Sequence, residues 1–225
     1  MGLGGINDPF CRQTQSRCRK VDRHGRYAYG NQPAIAQWNL SRFAENLLPL
    51  LDTREEQAIA AATASLHRFT EQFQEHWLAG MRGKLGLFAA EPEDTDLFRT
   101  LLEGMHQAKA DYTNTFAALC HSEGPTVSVP GLTEDFRQRY ASRLERQSQP
   151  PAESLALRRS RSPAFVPRNH LVESALRAAT EGDLGPTQRL LAILARPYDH
   201  NHTAPEYCAP APEADAASYQ TFCGT

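Results

Sequence analysis

The chain has 225 residues, 40% hydrophobic and 22% charged, with a formal net charge of −2. That length allows one large or two modest domains, and the composition excludes wholesale disorder. The charge balance gives no reason to expect nucleic acid or an anionic membrane as partner, and no run approaches the ~18 apolar residues that span a bilayer.

Taken in chain order, the start "MGLGGINDPF" has no basic stretch leading into an apolar one and is not expected to act as a secretory leader. "CRQTQSRCRK" carries no apolar period and reads as irregular. Cys11, Cys18, Cys120, Cys208 and Cys223 are odd in number and scattered, which argues against a secreted disulfide framework. A reducing, cytoplasmic compartment is the expectation. From Asn31-Gln32-Pro33 a helix begins, because proline suits a first helical position. Ile35, Trp38, Phe43, Leu47 and Leu50/Leu51 form its stripe. A second helix carries Ile59, Leu66, Phe69, Phe73 and Trp77 at steps of seven, three, four and four, and Gly83 and Gly86 flank its end. Trp38, Phe73 and Trp77 read as core.

A third helix is expected from Asp94 to Leu119, with Leu97, Leu101, Met105, Tyr112, Phe116 and Leu119 on one face. Glu93, Asp94 and Asp96 suit its N-terminus. "SEGPTVSVPGL" is a loop, and Thr133 opens a fourth helix with Phe136, Tyr140 and Leu144 at steps of four. Residues 150–168 read as a Pro/Ser/Arg linker with one short helix, in which Arg158, Arg159 and Arg161 are a solvated basic run. Asn169 is the expected N-cap of the next helix, Gly182 its stop, and Asp183 the cap of the one after. The rest is Pro/Ala-rich and extended. Asp199, His200, His202 and Cys208 have metal-ligand types without the paired spacing of a zinc site, and read as a polar linker. No alternating strand pattern occurs, so the fold class is all-α.

Five stretches together resemble one family. They are "DRHGRYAYGNQPAIAQWNLSRFAENLLPL", "MHQAKADYTNTF", "SPAFVPRNHLVESALRAATEGDL", "LLAILARPYD" and the terminal "YQTFCGT". The family is selenoprotein O (also called YdiU), protein adenylyltransferases on a protein-kinase-like fold, and the resemblance runs from about Cys18 to Thr225. It implies transfer of AMP from ATP to Ser, Thr or Tyr hydroxyls of target proteins, with magnesium on the phosphates and an acidic base. The family's glycine-rich loop, strand lysine, clamping arginines and catalytic loop precede the matched region. No residue here corresponds to them, so no catalytic, cofactor-binding or metal residue is assigned, and ATP and Mg2+ are expected only of a full-length protein.

On this resemblance, residues 1–32 are the remnant of an activation segment (1–17 atypical) and 33–149 are the helical part of a kinase-like, pseudokinase-type lobe. A linker (150–168), a helical extension (169–197) and an extended tail (198–225) follow. Asp22, Arg26 and Tyr27 take structural roles in the activation segment, with His24 beside them. Cys18 and Cys223 are a candidate redox disulfide by the resemblance, against the alternative of two unrelated thiols. Three readings stay open: the C-terminal region of an adenylyltransferase, inactive alone, with protein substrates and a separately encoded N-terminal half as partners; a helical interaction module without chemistry; and a truncated gene product. The helix from Pro33 is expected to be under-covered in this chain.

Overall fold

The structure is a computed structural model that describes residues 31–124 and 127–212. Among these residues every regular element is helical: α1 (Gln32–Leu51), α2 (Glu55–Lys84), α3 (Asp94–Gln107), α4 (Tyr112–Ala118), α5 (Glu134–Glu145), α6 (Pro151–Arg161), α7 (Asn169–Thr180), α8 (Gly185–Leu194) and α9 (Pro205–Cys208). The all-α expectation holds for them. No described helix is long and apolar enough to cross a membrane.

The chain divides into two compact units, with the boundary inside α2 between Ala79 and Gly80. In the first unit, α1 starts with Pro33 in its first turn, where the missing N–H removes no hydrogen bond. A 20-residue helix with no buried residue is unusual: Trp38 is 49% exposed, Phe43 60% and Leu50 81%. Trp38 is therefore not core, while Phe73 and Trp77 are half-buried. The expected under-covering of this helix is what the coordinates describe.

The second unit holds a dry core. Leu97, Phe98, Leu101 and Met105 of α3 meet Phe136 and Tyr140 of α5, and all six are buried. The two rings of α5 stack with centroids 5.4 Å apart. Gly104 lets α3 approach the loop before α5, because a Cβ there would strike the Gly131 carbonyl. Thr133 caps α5 as expected, its Oγ1 accepting from the Phe136 N–H at 3.2 Å.

Three helices end in the same hydrogen-bonded turn. After α2, the Leu87 N–H donates to the Arg82 carbonyl and that of Gly86 (φ 69°) to the Gly83 carbonyl. After α7, the Asp183 and Gly182 (φ 92°) amides repeat the pattern on Ala178 and Ala179. After α3, Ala110 and Lys109 repeat it on Met105 and His106, with Lys109 at φ 50°.

That last turn corrects the single helix expected over 94–119. The chain breaks at 108–111 and restarts as α4, N-capped by Asp111, whose Oδ1 accepts from the Asn114 N–H at 2.9 Å. Two further corrections are of register. The residue before α7 is Arg168, not Asn169, and no side chain caps that helix. The residue before α8 is Leu184, while Asp183 accepts from the Gly185 N–H at 2.8 Å. The run around Arg158 is not a solvated linker: it is α6, and Ser154 and Arg158 on it are buried.

Candidate functional site

The candidate redox cysteines Cys18 and Cys223, and the activation-segment residues Asp22, His24, Arg26 and Tyr27, lie outside the described residues. What the structure describes is the set of polar nodes that the second unit builds from the motif-bearing stretches.

The first node joins two of those stretches. Arg168, at the start of α7, forms a bidentate pair with Asp111 at the start of α4: Nη1 to Oδ2 at 2.6 Å and Nη2 to Oδ1 at 3.0 Å. Burial pushes the Asp111 carboxyl up, but the hydrogen bond from Arg168, the amides of Asn114 and Thr113 and the nearby positive charge overcome it and hold the group below its ordinary range. Arg168 Nη2 also donates to Asn114 Oδ1 at 3.1 Å and to the Cys208 carbonyl at 3.0 Å. Asn114 Nδ2 donates to the same carbonyl at 3.1 Å. One guanidinium thus ties together the cap of α4, the start of α7 and the end of α9.

A second node surrounds Arg158, whose side chain is fully buried. Its nitrogens donate to carbonyls: Leu119 at 2.7 Å, Glu123 at 3.1 Å and Ser154 at 3.4 Å. Leu119 and its successors are the C-terminal end of α4, where a cation meets the negative pole of the helix. Arg159 Nε does the same for the Cys120 carbonyl at 2.9 Å. Beside them, the Cys120 thiol donates to the Phe116 carbonyl at 3.3 Å, and burial pushes it up against the opposing pull of Arg158, Arg159 and Lys84. The Tyr140 hydroxyl donates to the Leu85 carbonyl at 2.6 Å, and burial raises that phenol to about 12. Lys84 lies over the Phe116 and Tyr112 rings at 5.0 and 5.5 Å, with its ammonium lowered by burial.

The third node lines a polar cleft of about 380 Å³ between α3 and α5. Arg143, 2% exposed, donates from Nε to Asp94 at 2.8 Å and from Nη2 to the Ala89 carbonyl at 2.6 Å. Its Nη1 is 2.9 Å from Glu91, which also pairs with Arg146.

These nodes decide what the described residues could hold. A magnesium–triphosphate needs carboxylates free to bind metal and cations free to bind phosphate. Asp94, Glu91 and Asp111 are each already engaged by arginine, and Arg158 is enclosed by backbone carbonyls. Among the described residues no three His, Cys, Asp or Glu side chains converge. Asp94, Glu91, Asp111 and Arg158 are thus committed to the fold and are not free for a metal or a phosphate. The residues of metal-ligand type from Asp199 to Cys208 are engaged separately: His200 Nε2 faces the Ser162 carbonyl at 2.8 Å, Asp199 accepts from the Asn201 N–H, and the Cys208 thiol faces the Ala164 carbonyl.

Arg168, Asp111 and Asn114 sit inside motifs that the sequence singled out, yet their joint role was not legible. Their long-range partners lie 40 to 94 residues away along the chain, beyond any local pattern. An arginine directly after a proline and directly before a helix, at the positive pole that disfavours it, was the one available signal.

Comparison with known proteins agrees with these motifs. The sequence model of a family described as "Protein adenylyltransferase SelO" matches residues 13–195. A "Protein nucleotidyltransferase YdiU" of Halalkalibacterium halodurans is 48% identical over 208 residues, covering 91% of this chain and 42% of that protein. Proteins of the same description from Alkaliphilus metalliredigens (45% over 208 residues) and Alcanivorax borkumensis (48% over 209 residues) match to the same extent, with 42% and 43% of their lengths covered. The chain thus spans less than half the length of the curated relatives it matches.

Proposed function

This chain belongs to the SelO family of protein adenylyltransferases, and we propose that it is the C-terminal helical part of such an enzyme, not competent for the chemistry by itself. In the complete protein the reaction would transfer AMP from ATP to Ser, Thr or Tyr hydroxyls of target proteins in the cytoplasm, on a protein-kinase-like fold. The observation that carries the reading is the pairing of a 48% identity with a coverage of only 42% of the relative. Supporting it, Asp94, Glu91 and Asp111 are each engaged by arginine and Arg158 by backbone carbonyls, which commits these groups to holding the fold. In this reading the nucleotide lobe belongs to the part of the relatives that this chain does not span. Asp22, Arg26 and Tyr27 would shape the activation segment, and Cys18 with Cys223 would form a redox tether for the tail.

Two measurements test the reading. Isothermal titration of the purified chain with ATP and Mg2+ should give no binding at micromolar concentration, and binding there would overturn the account. Co-expression with the upstream portion of the Halalkalibacterium halodurans relative should restore transfer of labelled AMP to protein. A second reading, a binding module without chemistry, draws support from the exposed Trp38, Phe43 and Leu50 of α1. Stable co-purification with that upstream portion but no AMP transfer would favour it.

A further inference from the structure

The segment from Pro197 to Cys208 contributes two buried residues, His200 and Ala204, and one four-residue helix. It is held mainly by polar clasps along its length. At its start, the Pro197 carbonyl accepts from the Ala164 and Phe165 amides at 2.7 and 3.1 Å. In its middle, His200 Nε2 meets the Ser162 carbonyl, and the His202 ring lies edge-on to Phe165 at 5.8 Å. A carbonyl only accepts, so that imidazole nitrogen carries the proton, and His200 Nδ1 is left buried without a partner. At its end, the Cys208 carbonyl takes both Arg168 Nη2 and Asn114 Nδ2.

The clasps differ in kind. Those at the start and middle go to residues 162–165, the short connection after α6. The end clasp alone uses a charged donor, and that donor is already fixed by two bonds to Asp111, the cap of α4. Charge-assisted bonds are roughly twice as strong as neutral ones, and a pre-positioned guanidinium loses little further freedom in making a third contact. The start of the segment is joined covalently to α8, so loss of the end clasp frees its far end first. The middle, with an orphaned ring nitrogen inside it, is the weakest remaining hold.

We propose that residues 197–208 form a strap with Arg168 as its catch, a strap that opens as one unit while α3–α6 stay folded. The strap needs few apolar contacts to break, whereas α3 and α5 bury Leu97, Phe98, Leu101, Met105, Phe136 and Tyr140 against one another. Closed, it shields the Cys208 thiol, which burial already holds above its ordinary value, and sets the point from which the chain beyond residue 208 departs. Open, it releases both. This inference stands apart from the adenylyltransferase reading, since it concerns only the second unit and its test uses no nucleotide.

The test follows thiol labelling and amide exchange by peptide mass spectrometry in the full chain. In the unaltered protein, amides of residues 198–208 should exchange at least roughly tenfold faster than those of Phe98 and Leu101, the signature of opening below global unfolding. Arg168→Ala should speed maleimide labelling of Cys208 by roughly tenfold or more with α3–α6 protection retained, and Asn114→Ala by a smaller factor. Arg168→Lys should fall between, because an ammonium cannot hold both carboxylate oxygens and reach the carbonyl. Unchanged labelling in Arg168→Ala would overturn the proposal. So would equal loss of protection across α3–α6, or, if that variant does not fold, unaltered-protein exchange of 198–208 no faster than the core.

Discussion

Lys109 is the residue where local chemistry and backbone geometry disagree most plainly. It holds φ 50° in a turn whose equivalents after α2 and α7 are glycines. A side chain with Cβ in the left-handed region costs on the order of 1 kcal/mol, so Lys109→Gly should raise stability by up to ~1 kcal/mol in a urea titration. The opposite sign is expected at Asp94, which is 1% exposed and 2.8 Å from the buried Arg143 guanidinium. Asp94→Asn keeps the shape but leaves the buried Arg143 with Glu91 as its one remaining carboxylate, and should cost roughly 1–3 kcal/mol. Little of this was readable from the sequence. Lys109 stands in a motif stretch, but no neighbouring residue marks it as left-handed. Asp94 reads as a first-turn acid serving its own helix, and its partner 49 residues on is invisible to any helical period.

At the scale of elements, signals confined to a few neighbouring residues were legible and those needing a distant partner were not. Thr133 before two acids, and Gly182 and Gly86 past apolar runs, marked helix ends because capping is local. The division of 94–119 into α3 and α4 was missed since apolar spacing runs on through the break, and only Asp111 marks the restart. The burial of α6 was missed because three arginines in a row of serines and prolines look solvated until the carbonyls they serve are known. The junction of α4 with the strap also carries a pH dependence. Burial, then the neighbouring His200 ring 5.9 Å away, then Arg159, all disfavour charge on His121 and lower it from its ordinary 6.5. In the unfolded chain the imidazole protonates near that ordinary value, so acid favours unfolding. The stabilisation is present above about pH 6.5 and is lost as pH falls toward the lower folded value. The urea midpoint should therefore fall between about pH 7.5 and pH 5.5, and His121→Gln should shrink that fall. The residue is exposed, so a modest change is expected.

For the molecule as a whole, the two units differ in how far their own residues complete them. The second gathers Leu85, Phe98, Leu101, Met105, Phe116, Phe136 and Tyr140 into a sealed interior, whereas α1 of the first buries nothing. The family was legible from motif stretches alone, and the all-helical class from the absence of alternation. The functional residues proposed on that resemblance, Cys18 and Cys223 above all, fall outside the described residues, so the sequence remains their only witness. What the coordinates add is a different set of chemistry-bearing groups, committed to holding helices together.

Arg158 shows where that commitment leads. Its charge rests on carbonyl dipoles in a site that water does not enter, and mobile ions screen such contacts far less than they screen exposed pairs such as Arg137 with Glu134. Brine strong enough to erase every surface ion pair on α5 should leave the melting temperature of the second unit nearly where it was. A steep saline dependence would mean that the guanidinium is wetter than its neighbours allow.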